Sequence, residues 1–201
     1  MLLLSMDTSD CFISVALVDE QKVWACTQVQ MERGQAEQLF PLIDETFKKA
    51  GTDISKIDGI AVTVGPGSFT GIRIGLAAAK GLGMALNIPV VGVSCFEMWC
   101  CGVTEPVKVV LDTRRGDFYV QSFDKDGRPD APKVLSLDDL IKDLPFAAVG
   151  NAANVLKENP KVRVLDTFPM FAVSVARVAL SRWNAPRKPE PLYLREADVS
   201  I

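Results

Sequence analysis

"VTVGPGSFTGIRIG" (residues 62–75) is the stretch on which the fold turns. A short apolar strand runs into Gly65-Pro66-Gly67, and an apolar helix has to follow from about Phe69. Such a junction holds phosphate when its backbone N–H groups converge on an anion. The spacing here fails both phosphate tests. A Walker loop needs Lys and then Ser or Thr after its last glycine, and Ile72 follows Gly71. The dinucleotide fingerprint needs a third glycine where Thr70 stands. The junction therefore reads as a strand-to-helix turn, with Ser68 or Thr70 as the N-cap.

Beyond the turn, Gly71, Gly75, Ala79 and Gly83 recur every fourth residue, with Ala77, Ala78, Gly81 and Ala85 beside them. Each internal glycine costs a helix about 0.8–1 kcal/mol relative to alanine, so a close backbone approach has to compensate. Part of that approach is to the chain's own sheet. The small positions exceed what one face needs, and a second helix is expected on the remainder. A docking surface is favoured over a catalytic loop, and Gly75→Leu is expected to remove a partner while leaving the chain folded. Arg73, among these small residues, reads either as a solvent-facing charge or as a group reaching a carboxylate or phosphate at the interface.

Working outward, residues 2–6, 11–19 and 22–30 read as antiparallel strands joined by short polar turns. Ala36, Leu39, Phe40, Ile43, Phe47 and Ala50 mark an amphipathic helix that Gly51 stops. Pro41 inside it implies a start close before it or a kink. Strands at 59–64 and 89–94 flank the helix at 69–87, so the order βββαβαβ predicts a mixed sheet with helices on its faces.

The pattern then starts again. "KVVLDTRRGDFYVQSFDKDG" (108–127) echoes "LLSMDTSDCFISVALVDEQ" (3–21), with Asp7-Thr8 matching Asp112-Thr113, Val15 matching Val120 and Asp19 matching Asp124, all offset by 105 residues. A duplicated fold is expected, with an N-terminal lobe over 1–104 and a smaller C-terminal lobe over 105–201. The second half holds helices at 137–143, about 151–158 and 170–183, a strand at 146–150 and a Pro-rich, extended tail laid back on the surface.

Composition narrows the chemistry. The 201 residues are 48% hydrophobic with a net charge of −3, a poor footprint for a chain that grips nucleic acid alone. There is no histidine, which removes the usual general base and the commonest metal ligand. Five cysteines form an odd set without a CxxC pair, and "MLLLSMDTSD" lacks the features of a signal peptide. Reduced thiols in the cytoplasm are the expectation. The apolar window around "GLGMALNIPVVGVSCF" is broken by Asn87 and Pro89, so no membrane span is expected.

Asp7 at the end of a central strand stands where phosphotransferases of the actin and sugar-kinase class hold metal-bound phosphate between glycine-rich turns. The first turn, "DTSDCF", has no glycine and the second, "DTRRGD", has one. Both are poorly equipped for ATP chemistry, and Asp117, Arg114 and Arg115 read as surface charges. The alternative to a docking subunit is an ATP-dependent phosphotransferase using Asp7 and Asp112 with magnesium. A weak nucleotide site near Asp7, Thr8 and Arg73 stays open. A protease would need a nucleophile with an activator or metal, and no such constellation is present in the sequence.

"GPGSFTGIRIG", "MDTSDCFISVAL", "LFPLIDE", "VVGVS" and "PLYLRE" together resemble the bacterial TsaB (YeaZ) family over nearly the whole chain. The resemblance implies an α/β, actin-like ATPase or ribonuclease H-like fold of two lobes, each a mixed sheet flanked by helices, the second reduced. It implies a role in making N6-threonylcarbamoyladenosine at position 37 of tRNA. The chain would be a non-catalytic partner of TsaD, which carries the metal-binding histidines, with the ATPase TsaE. ATP and metal would be used by the partner subunits, the chain having no cofactor of its own. tRNA would be contacted mainly through the complex. The family also implies that the first two helices dock on those of TsaD, or on a second copy. Carried onto this sequence, the contacts are Leu39, Ile43 and Phe47 on one helix and Phe69, Gly71, Ile72, Gly75 and Ala79 on the other. Gln35 departs from the histidine frequent in the family at the opening of the first helix.

Overall fold

The computed structural model describes residues 1–31, 33–166 and 169–195. They form two units. The first comprises Met1–Met98 together with Pro169–Leu192, and the second the described residues of 99–168 and 193–201.

In the first unit, β1 (Leu3–Asp7), β2 (Phe12–Val18) and β3 (Val23–Gln30) make an antiparallel meander. Helix α1 (Gln35–Ala50) follows and continues through Pro41, which stands on its exposed side. Then come β4 (Gly59–Gly65), α2 (Phe69–Leu86), β5 (Val90–Ser94) and the short α3 (Cys95–Cys100). The sheet order is β3-β2-β1-β4-β5, with β4 parallel to both β1 and β5. Leu4, Met6, Ile13, Val15, Leu17, Ile60, Val62 and Val64 alternate along the strands onto one face, where α1 and α2 cover them. Ser68 is the N-cap of α2, its Oγ accepting from Gly71 N at 3.2 Å.

The second unit repeats this plan. It contains β6 (Val107–Asp112), β7 (Phe118–Phe123), β8 (Lys133–Leu135), α4 (Leu137–Leu140), β9 (Phe146–Val149) and β10 (Val162–Val164). Their order, β8-β7-β6-β9-β10, is that of the first sheet, strand for strand. The duplication is real, but the two sequence matches after the turn, Val15 with Val120 and Asp19 with Asp124, are a residue out. Met6 pairs with Val15, whereas Leu111 pairs with Tyr119 and Val110 with Val120. The second hairpin turn is one residue shorter, so Val120 occupies the place of Ala16. A one-residue slip changes the face of every side chain that follows. The helix expected at 151–158 is a 3-10 turn over Ala153–Leu156, and the three-residue strands β8 and β10 carried no signal.

The lobe boundary needs a larger correction. Helix α5 (Phe171–Ser181), assigned from sequence to the C-terminal lobe, lies on the other face of the first sheet. Ala172, Val173 and Ala176 pack on Ala16 and Val18, and Ala172 N donates to Ser14 Oγ at 3.1 Å. Without α5 that face of β1 and β2 would stand bare. The tail after α5 is extended, as the prolines imply. Gly92 N donates to Arg187 O at 2.9 Å and Leu192 N to Val64 O at 2.7 Å.

A clasp fixes the end of α5. Glu97 Oε2 accepts from Ser94 N at 2.8 Å and Ser94 Oγ at 2.7 Å, while both its oxygens meet the Arg182 guanidinium. Arg182 Nη2 also donates to Gly92 O at 2.9 Å. Burial pushes the Glu97 carboxyl up, but the Ser94 donors and Arg182 outweigh it and hold the group below its ordinary 4.5. A depressed carboxylate contributes stability that is present above its unfolded value and is lost as pH falls through the folded one. Glu97→Gln is expected to cost about 1–3 kcal/mol at pH 7. In urea unfolding the difference from the parent should begin to shrink as pH falls below the ordinary 4.5 and be lost as pH passes through the lower folded value. A constant difference across that range would contradict the assignment.

Candidate functional site

The end of β1 and the start of α2 meet in one buried cluster. Asp7 is 1% exposed, and its Oδ1 accepts from Thr63 Oγ1 at 2.6 Å, Ser9 Oγ at 2.7 Å and Ser9 N at 3.2 Å. Burial lifts its carboxyl above the ordinary range, with those donors pulling against it. Thr8 Oγ1 donates to Gly71 O at 2.6 Å, and Ser68 N donates to Ser9 O at 2.7 Å. The turn that resembles a phosphate loop is thus closed on the chain's own backbone. Cys95 is buried in the same cluster, and burial, followed by the Asp7 charge, raises its thiol far enough to leave it unreactive.

The glycines are explained by this closure. A Cβ on Gly67 would stand 2.4 Å from Ser9 O, one on Gly71 2.0 Å from Thr8 O, and one on Gly75 2.6 Å from Thr8 Oγ1. On Gly83 it would stand 2.3 Å from Val90 Cγ2. Three turns of α2 therefore lie against the Thr8–Ser9 turn and β5 at distances that no larger residue permits.

This geometry bears directly on the residues singled out from sequence. Asp7 and Thr8 are brought together, but Asp7 faces Thr63 and Ser9 and Thr8 is tied to Gly71. Arg73 is exposed with its guanidinium carbon 3.6 Å from the centre of the Phe69 ring. Asp112 lies in the second unit, its Oδ1 accepting from Arg114 N at 2.7 Å. Asp117 holds the Thr113 hydroxyl and the Arg195 guanidinium, which keep its carboxyl below the ordinary range. Among the described residues, no group of three or more His, Cys, Asp or Glu side chains is placed to hold a metal.

A pH effect follows for Asp7. A carboxyl raised in the folded chain contributes most below its unfolded value, and the contribution falls as pH rises through the folded one. Asp7→Asn keeps the Oδ1 acceptor and removes the buried charge. It is expected to raise the urea midpoint at pH 7, by an amount that shrinks toward the ordinary aspartate value of 3.8. A variant less stable than the parent at pH 7 would overturn this reading of the cluster.

The expected docking residues have to be corrected. Leu39, Ile43, Phe47, Ile72 and Ala79 are between 0% and 7% exposed, and Gly71 and Gly75 are also buried. They form the core between α1, α2 and their own sheet, which leaves little of their surface for a partner. Phe69 is half-buried beside Arg73. Periodicity marks the buried stripe of a helix without saying what buries it.

The opposite side of α2 is the uncovered one. Thr70, Arg73, Ala77, Lys80, Gly81, Met84 and Ala85 are exposed, and Ile74 is half-buried. Met84 is 85% exposed, and a Cβ on Gly81 would meet nothing within 4 Å. Only 39% of this helix is buried, although it is apolar enough by length and composition to cross a membrane. Phe40, 51% exposed, adds to the apolar surface of α1. The signal for this face lay in Gly81, which falls off the row of Gly71, Gly75 and Gly83.

Two copies of a three-strand meander extended by two parallel strands define an actin-like ATPase fold, here with its first phosphate turn sealed from within. A likeness in fold extends to an activator of 2-hydroxyisocaproyl-CoA dehydratase from Clostridium difficile (TM-score 0.55, 11% identity, 90% of this chain and 95% of that one). The pattern of the family described as TsaD, tRNA N6-adenosine threonylcarbamoyltransferase, matches residues 29–180, and the chain belongs to that family, on its TsaB (YeaZ) branch. It is similar to the tRNA threonylcarbamoyladenosine biosynthesis protein TsaB of Escherichia coli, 30% identical over 131 residues. That match covers 63% of this chain and 56% of the relative. The chain is also similar in structure to YeaZ of Pseudomonas aeruginosa (TM-score 0.78, 25% identity, 96% of this chain and 99% of that one).

Proposed function

We propose that the chain is a non-catalytic subunit in the synthesis of threonylcarbamoyladenosine in tRNA, which binds a TsaD-type transferase and holds it in its competent state. The observation that carries this reading is the uncovered side of α2, where Ala77, Gly81, Met84 and Ala85 face outward and Ile74 is half-buried. Apolar area removed from water stabilises a complex by roughly 25 cal/mol per Å², and small residues let a partner helix come close. Activation is then a population shift, set by how much more tightly the chain binds the competent form than the idle one. The partner supplies the metal and transfers the group, TsaE supplies ATP hydrolysis, tRNA is held mainly by the assembled complex, and the site of action is the cytoplasm.

Reconstitution tests it. The transferase with the other partner proteins, including the one that forms the activated threonylcarbamoyl donor, and tRNA, threonine, bicarbonate and ATP should give modified tRNA only when this chain is added, and the chain alone should modify nothing. Equal modification without it would refute the proposal.

A further inference from the structure

Where α5 ends, its last two turns and the turn between β2 and β3 enclose an open cavity of about 490 Å³, on the sheet face away from α1 and α2. That is room for a small organic molecule. Val18, Val23 and Leu180 give it an apolar wall. The hairpin side is held in place by its own contacts. Strand pairing passes from Leu17 with Ala25 to Val18 with Val23, so Trp24 is the extra residue of a bulge, a device that re-aims a side chain. Trp24 Nε1 donates to Asp19 Oδ2 at 2.7 Å, and the Lys22 ammonium stands 4.1 Å from the centre of the Trp24 ring. Asp19 Oδ1 accepts from Gln21 N at 2.8 Å and Lys22 N at 2.7 Å, while Glu20 Oε2 holds the N-terminal amine at 2.7 Å. Both carboxylates on this side are therefore engaged within the chain.

The helix side is different. Arg177, Leu180 and Ser181 are three and four residues apart and share one face of α5. Arg177 is the single charge in the helix FAVSVARVALS, it is exposed, and among the described residues it makes no ion pair or hydrogen bond. Ser181 Oγ donates to Val178 O at 2.9 Å, which leaves the guanidinium as the group on this wall free to meet a ligand. We propose that the cavity binds a small organic monocarboxylate, its carboxylate on Arg177 and its apolar body against Val18, Val23 and Leu180. A guanidinium offers a carboxylate two parallel N–H donors. A more highly charged ligand is disfavoured, because Asp19, Glu20 and the carbonyl end of α5 all present negative charge to the same space. The cavity lies apart from the uncovered side of α2, and the inference does not rest on the proposed function.

An NMR titration of the full chain with phenylacetate, uncharged phenylacetamide and phenyl phosphate tests it. Phenylacetate should shift the methyl signals of Val18, Val23 and Leu180 and the side-chain signal of Arg177, with a dissociation constant of about 1 mM or tighter. Phenylacetamide should bind about tenfold more weakly. Arg177→Gln should lose phenylacetate by a similar factor with melting unchanged, since the residue is exposed. Arg177→Lys should keep part of the affinity, having the charge without the paired donors. Four results would each overturn the inference: no shift at the lining residues, equal affinity for phenylacetate and phenylacetamide, parent affinity in Arg177→Gln, or tighter binding of phenyl phosphate than of phenylacetate.

Discussion

Gly75→Leu is expected to leave little folded protein, rather than a folded protein that has lost a partner. The first atom added at this position would stand 2.6 Å from Thr8 Oγ1 and 3.4 Å from Val62 Cγ2. Thr8 cannot swing aside without releasing the Gly71 carbonyl, to which it donates at 2.6 Å in a fully buried setting. The rest of a leucine has no space to enter, because α2 lies directly on the Thr8 turn and β4. Overpacking of this severity costs about 4 kcal/mol or more, against a total stability of roughly 5–15 kcal/mol. Gly71→Ala, a single methyl group, is expected to be similarly damaging, since its Cβ would lie 2.0 Å from the Thr8 backbone oxygen. Urea unfolding followed by circular dichroism measures both. A Gly75→Leu chain with the parent midpoint would show that α2 does not lie where it is described.

The second large effect concerns Gly81 and Met84, and its signature is the reverse. Gly81→Leu should keep or slightly raise the melting temperature, because the site is open and leucine is a better helix former by about 0.8 kcal/mol. Met84→Glu, at a position 85% exposed, should leave stability unchanged within about 0.5 kcal/mol. Both should cost about 2–4 kcal/mol of binding to the transferase, a loss of roughly 30- to 1000-fold, as central interface positions do. Titration calorimetry with the purified partner reads this directly. Parent affinity in both variants would remove α2 from the interface, and with it the main support for the proposed function.

These two pairs of variants separate roles that look the same in the sequence. Gly71, Gly75, Gly81 and Gly83 all read as small residues that permit a close neighbour, and all four are glycines in one helix. Three have their neighbour inside the chain and one faces outward. The difference is about a third of a turn around the helix axis. That is enough to separate the buried row from the open one, and only the position of Thr8, Val62 and Val90 reveals it.

Much was legible from the chain alone. The strand and helix order from β1 to β5, an N-cap at Ser68 or Thr70, the failure of the phosphate tests and the duplicated plan follow from local chemistry: alternating apolar residues, capping hydroxyls, and glycines at turns. The Asp7-Thr8 turn could be located but not interpreted, because the partners that hold it, Thr63 and Gly71, are 56 and 63 residues away. The return of α5 to the first sheet was invisible for the same reason. Hydrophobic period tells how a helix is divided into wet and dry sides, but carries no record of which sheet dries it. What the sequence by itself determined was the set of elements and which stripe of each must be buried. Only the tertiary structure decided what buries each stripe, and so which surface is left for another molecule, because burial depends on distances in space that local chain chemistry does not contain.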